Sequence, residues 1–79
     1  MNMYENQVVV RFSEANDVQK FVNAAEQCDF DIDVKYKNAL VDAKSLLGMI
    51  AIGLCNNMTV CYSGTNPHFE HVVNKLAIA

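Results

Sequence analysis

The sequence predicts an α+β fold, an open-faced β-sandwich in which a four-stranded antiparallel sheet carries three helices on one face in the order βαββαβα. Two kinds of segment predict it, one alternating apolar and polar residues with period two, the other repeating apolar residues at helical spacing. Each strand offers one apolar face and each long helix one apolar stripe. An antiparallel sheet covered by helices on one side satisfies both and leaves its other face to water. A chain of 79 residues supports one domain, spanning residues 1–79.

The first strand is "QVVVRFS", residues 7–13, with Val8, Val10 and Phe12 on one face and Val9 and Arg11 on the other. In "NDVQKFVNAAEQC" Asn16 reads as a helix cap with Gln19 three residues on, and Val18, Phe21, Val22 and Ala25 form one stripe. "DFDIDVKYK" alternates Phe30, Ile32, Val34 and Tyr36 with charged residues, which makes a strand with one solvated face. Lys37-Asn38 supplies a tight turn, through the tolerance of Asn38 for positive φ, and residues 39–42 return as a short edge strand. "MTVCYS" is the fourth strand, with Met58, Val60 and Tyr62 inward, after a turn at Asn56-Asn57. Gly64 breaks it. A closing helix starts from a cap at Thr65 or Asn66 with Pro67 in its first turn, and carries Phe69, Val72, Val73 and Leu76.

Between the third and fourth strands lies "AKSLLGMIAIGL", residues 43–54, an oily stretch too short for a bilayer, which takes about 20 apolar residues. Ser45 caps it and Gly53 ends it, so it is a helix of about two turns. At 100° per residue Leu46, Leu47, Met49, Ile50 and Ile52 cannot all face one core. Leu46, Leu47, Met49 and Ile50 are therefore expected to form an exposed partner-binding surface, with methionine as its adaptable member.

Composition narrows the function classes. The formal charge is −3, and six Lys and Arg are scattered along the chain, so no basic stripe exists to neutralise a run of phosphates and nucleic acid is not an expected partner. The opening "MNMYENQ" lacks the layout of a secretory signal and no segment is long enough to span a membrane, so a cytoplasmic location is expected. Cys28, Cys55 and Cys61 read as small hydrophobes in a reducing compartment. His68 and His71, with Glu70 between them, form a poor ligand set and read as surface residues, so neither a metal nor a cofactor is expected.

The block "DAKSLLGMIAIGL" followed by "NNMTVCYSG" resembles the HPr family, the histidine-containing phosphocarriers of the sugar phosphotransferase system, whose regulatory serine opens a K-S-[IL]-[ML]-G-[LVM]-[MI] block. "QKFV", "FDIDVKY" and the closing helix follow in the family's order, so the resemblance covers nearly the whole chain. It implies the same open-faced sandwich, and it makes Ser45 the target of an ATP-dependent HPr kinase/phosphorylase. A phosphoserine adds about −1.5 to −2 charges, and a helix N-terminus receives them well.

The resemblance also implies a nucleophilic histidine at the start of the first helix, in a G-x-H-[AT]-R-P block. Here "FSEANDVQKF" puts Glu14 near the histidine position, Asn16 near that of the arginine and Asp17 near that of the proline. The expected protein is thus an HPr-like chain without the phosphocarrier histidine, closest in kind to the catabolite-repression HPr homologue. It is not an enzyme but a regulatory protein-binding module acting through the Ser45 helix, with HPr kinase/phosphorylase and a LacI-type transcription regulator as implied partners. The alternative is an atypical phosphoryl carrier with a non-histidine acceptor such as Glu14, although aspartyl phosphates are normally made in metal-assisted acidic sites that this stretch does not offer.

Overall fold

The computed structural model describes residues 4–78. Its elements are β1 (Asn6–Val10), α1 (Ala15–Glu26), β2 (Ile32–Tyr36), β3 (Ala39–Asp42), α2 (Leu46–Ile52), β4 (Met58–Tyr62) and α3 (Pro67–Leu76), which is the order expected from the sequence. The sheet order is β1-β4-β2-β3 and every pairing is antiparallel. Register places Val8, Val60, Val34 and Val41 in one row across all four strands. On this floor sit Val18, Phe21, Val22 and Ala25 of α1, Met49 and Ile52 of α2, and Phe69 and Val73 of α3, all buried.

An aromatic chain runs through the core. Ring centroids lie 5.4 Å apart for Phe12 and Phe21, 5.7 Å for Phe21 and Phe69, 5.2 Å for Phe69 and Tyr62, and 5.8 Å for Tyr62 and Phe30. Each such pair adds about 0.5–1.5 kcal/mol beyond the area it buries. Phe12 enters this chain from outside the sheet, because β1 ends at Val10 rather than running on to residue 13. Past that point the Arg11 N–H donates to the Leu76 carbonyl and Val10 bridges Ala77, so the end of α3 takes over the edge of β1.

Three local expectations are corrected. The N-cap of α1 is Glu14, in extended backbone, and Asn16 already lies inside the first turn. The Asp17 carboxylate reaches back to the start of the helix, while Gln19 hydrogen-bonds Asn23 on the exposed face instead. In the hairpin turn the positive φ of 54° falls on Lys37 and not on Asn38, because the geometry of a two-residue loop demands it at the first position. Cys28 and Cys61 are buried as expected, but Cys55 is exposed and has a left-handed φ of 62°.

The face of the sheet away from the helices exposes Gln7, Val9 and Lys35. Cys61 is the exception, wholly buried between Gln7 and Asp33 in the sheet register. Burial pushes its thiol up from the ordinary cysteine range. Across the same face the Tyr4 hydroxyl donates to the Asp33 carboxylate at 2.6 Å. Among the described residues no helix is long and apolar enough to cross a membrane.

Candidate functional site at the start of α2

A tight turn delivers the chain from β3 into α2. The Asp42 carboxylate accepts from the Lys44 N–H at 2.9 Å, and the Asp42 carbonyl accepts from the Ser45 N–H at 3.0 Å. Lys44 extends its ammonium to the Cys28 carbonyl at 2.9 Å, just past the end of α1, where carbonyls without helical partners favour a cation. The lysine of the K-S pair thus ties two elements together, a role that sequence reasoning missed.

Ser45 has extended backbone, and its Oγ accepts from the Gly48 N–H at 3.1 Å. That cap is worth about 1 kcal/mol. Gly48 is required by space: a Cβ there would lie 2.7 Å from Val41 Cγ1 and 3.3 Å from the Ser45 Oγ, so only glycine lets α2 rest this closely on β3. At the other end Gly53, with φ 86° and ψ −176°, takes a conformation open essentially to glycine alone. The Asn56 amide group donates to the Ile52 carbonyl at 2.9 Å, and the Cys55 N–H donates to the Phe12 carbonyl at 2.8 Å. These bonds hold the exit of α2 beside the loop that enters α1.

Of the expected surface residues, Leu46, Leu47 and Ile50 are exposed, Leu47 by 83%. Met49 is not. It is completely buried in the core and has no place in a contact surface. The close seat of Gly48 on Val41 fixes the roll of α2, and that roll points Met49 and Ile52, three residues apart, at the sheet. Leu54, in the loop after Gly53, is exposed and joins the patch unforeseen, because helical periodicity says nothing of residues beyond the helix.

Between α1 and α2 these side chains border a groove of about 230 Å³, lined by Ala15, Val18 and Gln19 on one side and Leu46, Ile50, Gly53 and Leu54 on the other. That is below the roughly 300–1,000 Å³ of small-molecule pockets and suits an inserted side chain better than a cofactor. Burying an exposed leucine or isoleucine at an interface is worth about 1.5–3 kcal/mol.

The start of α1 borders the groove through Ala15, beside the exit of α2, and has different chemistry. Glu14 is exposed at the N-cap, and the Asp17 carboxylate accepts from the N–H groups of Ser13 at 3.0 Å and Glu14 at 3.3 Å. Two carboxylates therefore occupy the positive end of this helix. The chain's histidines, His68 and His71, are exposed on α3. No group of three or more His, Cys, Asp or Glu among the described residues could hold a metal ion.

The chain matches no curated protein sequence. Among solved structures it is similar to the phosphocarrier protein HPr from Bacillus anthracis str. Ames, with a TM-score of 0.72 at 21% identity over 90% of this chain and 95% of that one, which establishes the shared fold. The family model for the PTS HPr component phosphorylation site matches residues 13–79, from the loop before α1 through all that follows. With the fold and most of the sequence in agreement, the chain belongs to the HPr family of phosphocarrier proteins of the phosphotransferase system.

Proposed function

We propose that this member of the family does not carry phosphate on a histidine and instead works in the cytoplasm as a regulatory protein-binding module, not as an enzyme. Its contact surface is formed by Leu46, Leu47 and Ile50 with Leu54, beside Ser45. The observation that carries the reading is the exposed apolar groove between α1 and α2, next to a helix start where two carboxylates stand in the region the family gives to its histidine block. Members of the family act by binding other proteins of the phosphotransferase system, and this groove would serve the same purpose here.

Ser45 is the proposed point of control. A phosphate on its Oγ would lie against the first N–H groups of α2, which favour negative charge, and would place a dianion at the edge of an apolar contact surface. HPr kinase/phosphorylase is the proposed modifying enzyme and a LacI-type transcription regulator the proposed reader. Incubation with that kinase and ATP tests the assignment. The expected product carries one phosphoryl group on Ser45 and none in Ser45→Ala, whereas an unmodified chain beside a labelled authentic HPr would overturn the regulatory reading.

The alternative, a phosphoryl carrier that uses Glu14 as acceptor, has an exposed carboxylate in its favour. Against it stands the Asp17 carboxylate, held by the Ser13 and Glu14 N–H groups, which adds a like charge beside that acceptor.

A further inference from the structure

Away from the α1/α2 groove, the opposite flank of α1 meets α3 along a furrow with an uncommon concentration of positive charge. His68, His71 and Lys75 follow one another at spacings of three and four, so they form one stripe on α3 together with Val72. Lys20 faces them from α1, and the cavity between the two helices, of about 240 Å³, is lined by these four side chains, by Val72 and Leu76, and by Asp17. A second, more polar cavity of about 440 Å³ adjoins it, sharing Asp17, Lys75 and Leu76 and adding Arg11 and Ser13. Three of the chain's six Lys and Arg, and both of its histidines, thus line one continuous depression on a molecule whose formal charge is −3.

The other charges nearby leave this depression cationic. Asp17 is the one carboxylate in its walls, and it is held to the Ser13 and Glu14 N–H groups at the end of α1. Glu70, on α3, turns back to accept from the Asn66 N–H at 3.1 Å. Elsewhere Lys44 donates to the Cys28 carbonyl and Lys37 rests over the Tyr36 ring, so those cations serve the fold. His68, His71 and Lys75 have no such anchors among the hydrogen bonds of α3 to the core.

We infer that the α1/α3 furrow binds a small phosphoryl-bearing anion, held by Lys20, Lys75 and the two imidazoles of α3. Several donors from two helices suit a tetrahedral dianion, whose oxygens accept from several directions at once, better than a planar carboxylate. A cavity of about 240 Å³ admits a phosphate or a small monoester, and the part-buried Val72 and Leu76 give an apolar floor for the carbon portion. The charged groups sharing the cavity with the imidazoles are Asp17 and Lys20 from α1 and Lys75 on their own helix.

The probe is inorganic sulfate, titrated into the full chain at constant pH and ionic strength while backbone amide resonances are followed by NMR. The expected result is a saturable shift centred on Lys20, His68, His71 and Lys75, with inorganic phosphate competing for the same resonances. The double variant His68→Gln with His71→Gln and the single variant Lys75→Gln each weaken binding about tenfold. These side chains are exposed, so both variants fold, and Lys35→Gln on the far sheet face leaves binding unchanged. Shifts that never saturate, shifts centred on Lys35 and Lys37, or affinity indifferent to both furrow variants would overturn the inference.

Discussion

α1 and α2 begin alike and differ in what their beginnings accept. Each starts from a residue in extended backbone, Glu14 or Ser45, and in each a side chain takes up free amide N–H groups. At α1 that side chain is the Asp17 carboxylate, which accepts from the Ser13 and Glu14 N–H groups, and Glu14 brings a second carboxylate to the same helix start. At α2 it is the neutral Ser45 hydroxyl. Like charges near a protein surface repel, so a phosphoryl group meets opposition at the first helix start. At the second the cap itself is neutral, and although the Asp42 carboxylate accepts from the Lys44 N–H just before it, the free amides and helix dipole of α2 are worth about 0.3–1 kcal/mol in its favour. A helix start serves phosphate chemistry only when its own cap has not already supplied the anion.

The contrast can be broken or sharpened by substitution. It requires that α2 be fixed by its inner face, so Met49→Ala should cost about 2–5 kcal/mol in denaturant unfolding, while Leu47→Ala stays within about 0.5 kcal/mol. Equal losses would mean that α2 is seated otherwise. Next in size, Asp17→Ala and Ser45→Ala should each cost about 1 kcal/mol as capping losses, seen as lowered melting temperatures. If Asp17→Ala costs nothing, its carboxylate does not cap α1 and the opposition to phosphate there falls away.

Smaller still, Ile50→Asp should shift stability by no more than about 0.5 kcal/mol yet weaken binding to a protein partner, measured by calorimetry. A large fall in melting temperature would place Ile50 in the core instead. The far sheet face supplies a reference that neither helix touches. Its hydrogen bond to Asp33 holds the Tyr4 hydroxyl up to about 12 from an ordinary 10.0. The raised value favours the neutral phenol in the folded chain, so this contribution is complete below pH 10 and is lost as pH rises through about 12. Ultraviolet titration of the tyrosines should show late ionisation of Tyr4 and of Tyr62, which burial also pushes up, and only the Tyr4 step moves earlier in Asp33→Asn.

The fold was legible because two periodicities recur without conflict: β-branched alternation in "VVV" and "DIDVKY", and helical spacing from Val18 to Ala25 and from Phe69 to Leu76. What escaped was decided by contacts distant in sequence. Periodicity shows that five apolar residues of α2 cannot all be buried, but the approach of Gly48 to Val41 selects Met49 as an inner one. Asn16 is a good cap by type, yet the reach of Asp17 back to Ser13 and Glu14 places the helix start earlier. Phe12 fits the strand pattern, but the tail of α3 claims the edge of β1 before the strand reaches it. The candidate site was legible as Ser45 and its leucines. Leu54, the tie from Lys44 to Cys28 and the cationic furrow were not, because each needs two elements brought together.

The difference between the two helix starts is tested most directly by treating the chain with phosphoenolpyruvate and the first enzyme of the phosphotransferase system, then locating any phosphate by mass spectrometry under conditions that preserve acid-labile bonds. The account predicts no phosphate at residues 13–17, while authentic HPr in the same reaction is fully labelled. An acid-labile phosphate on Glu14 would contradict it and make the chain a carrier.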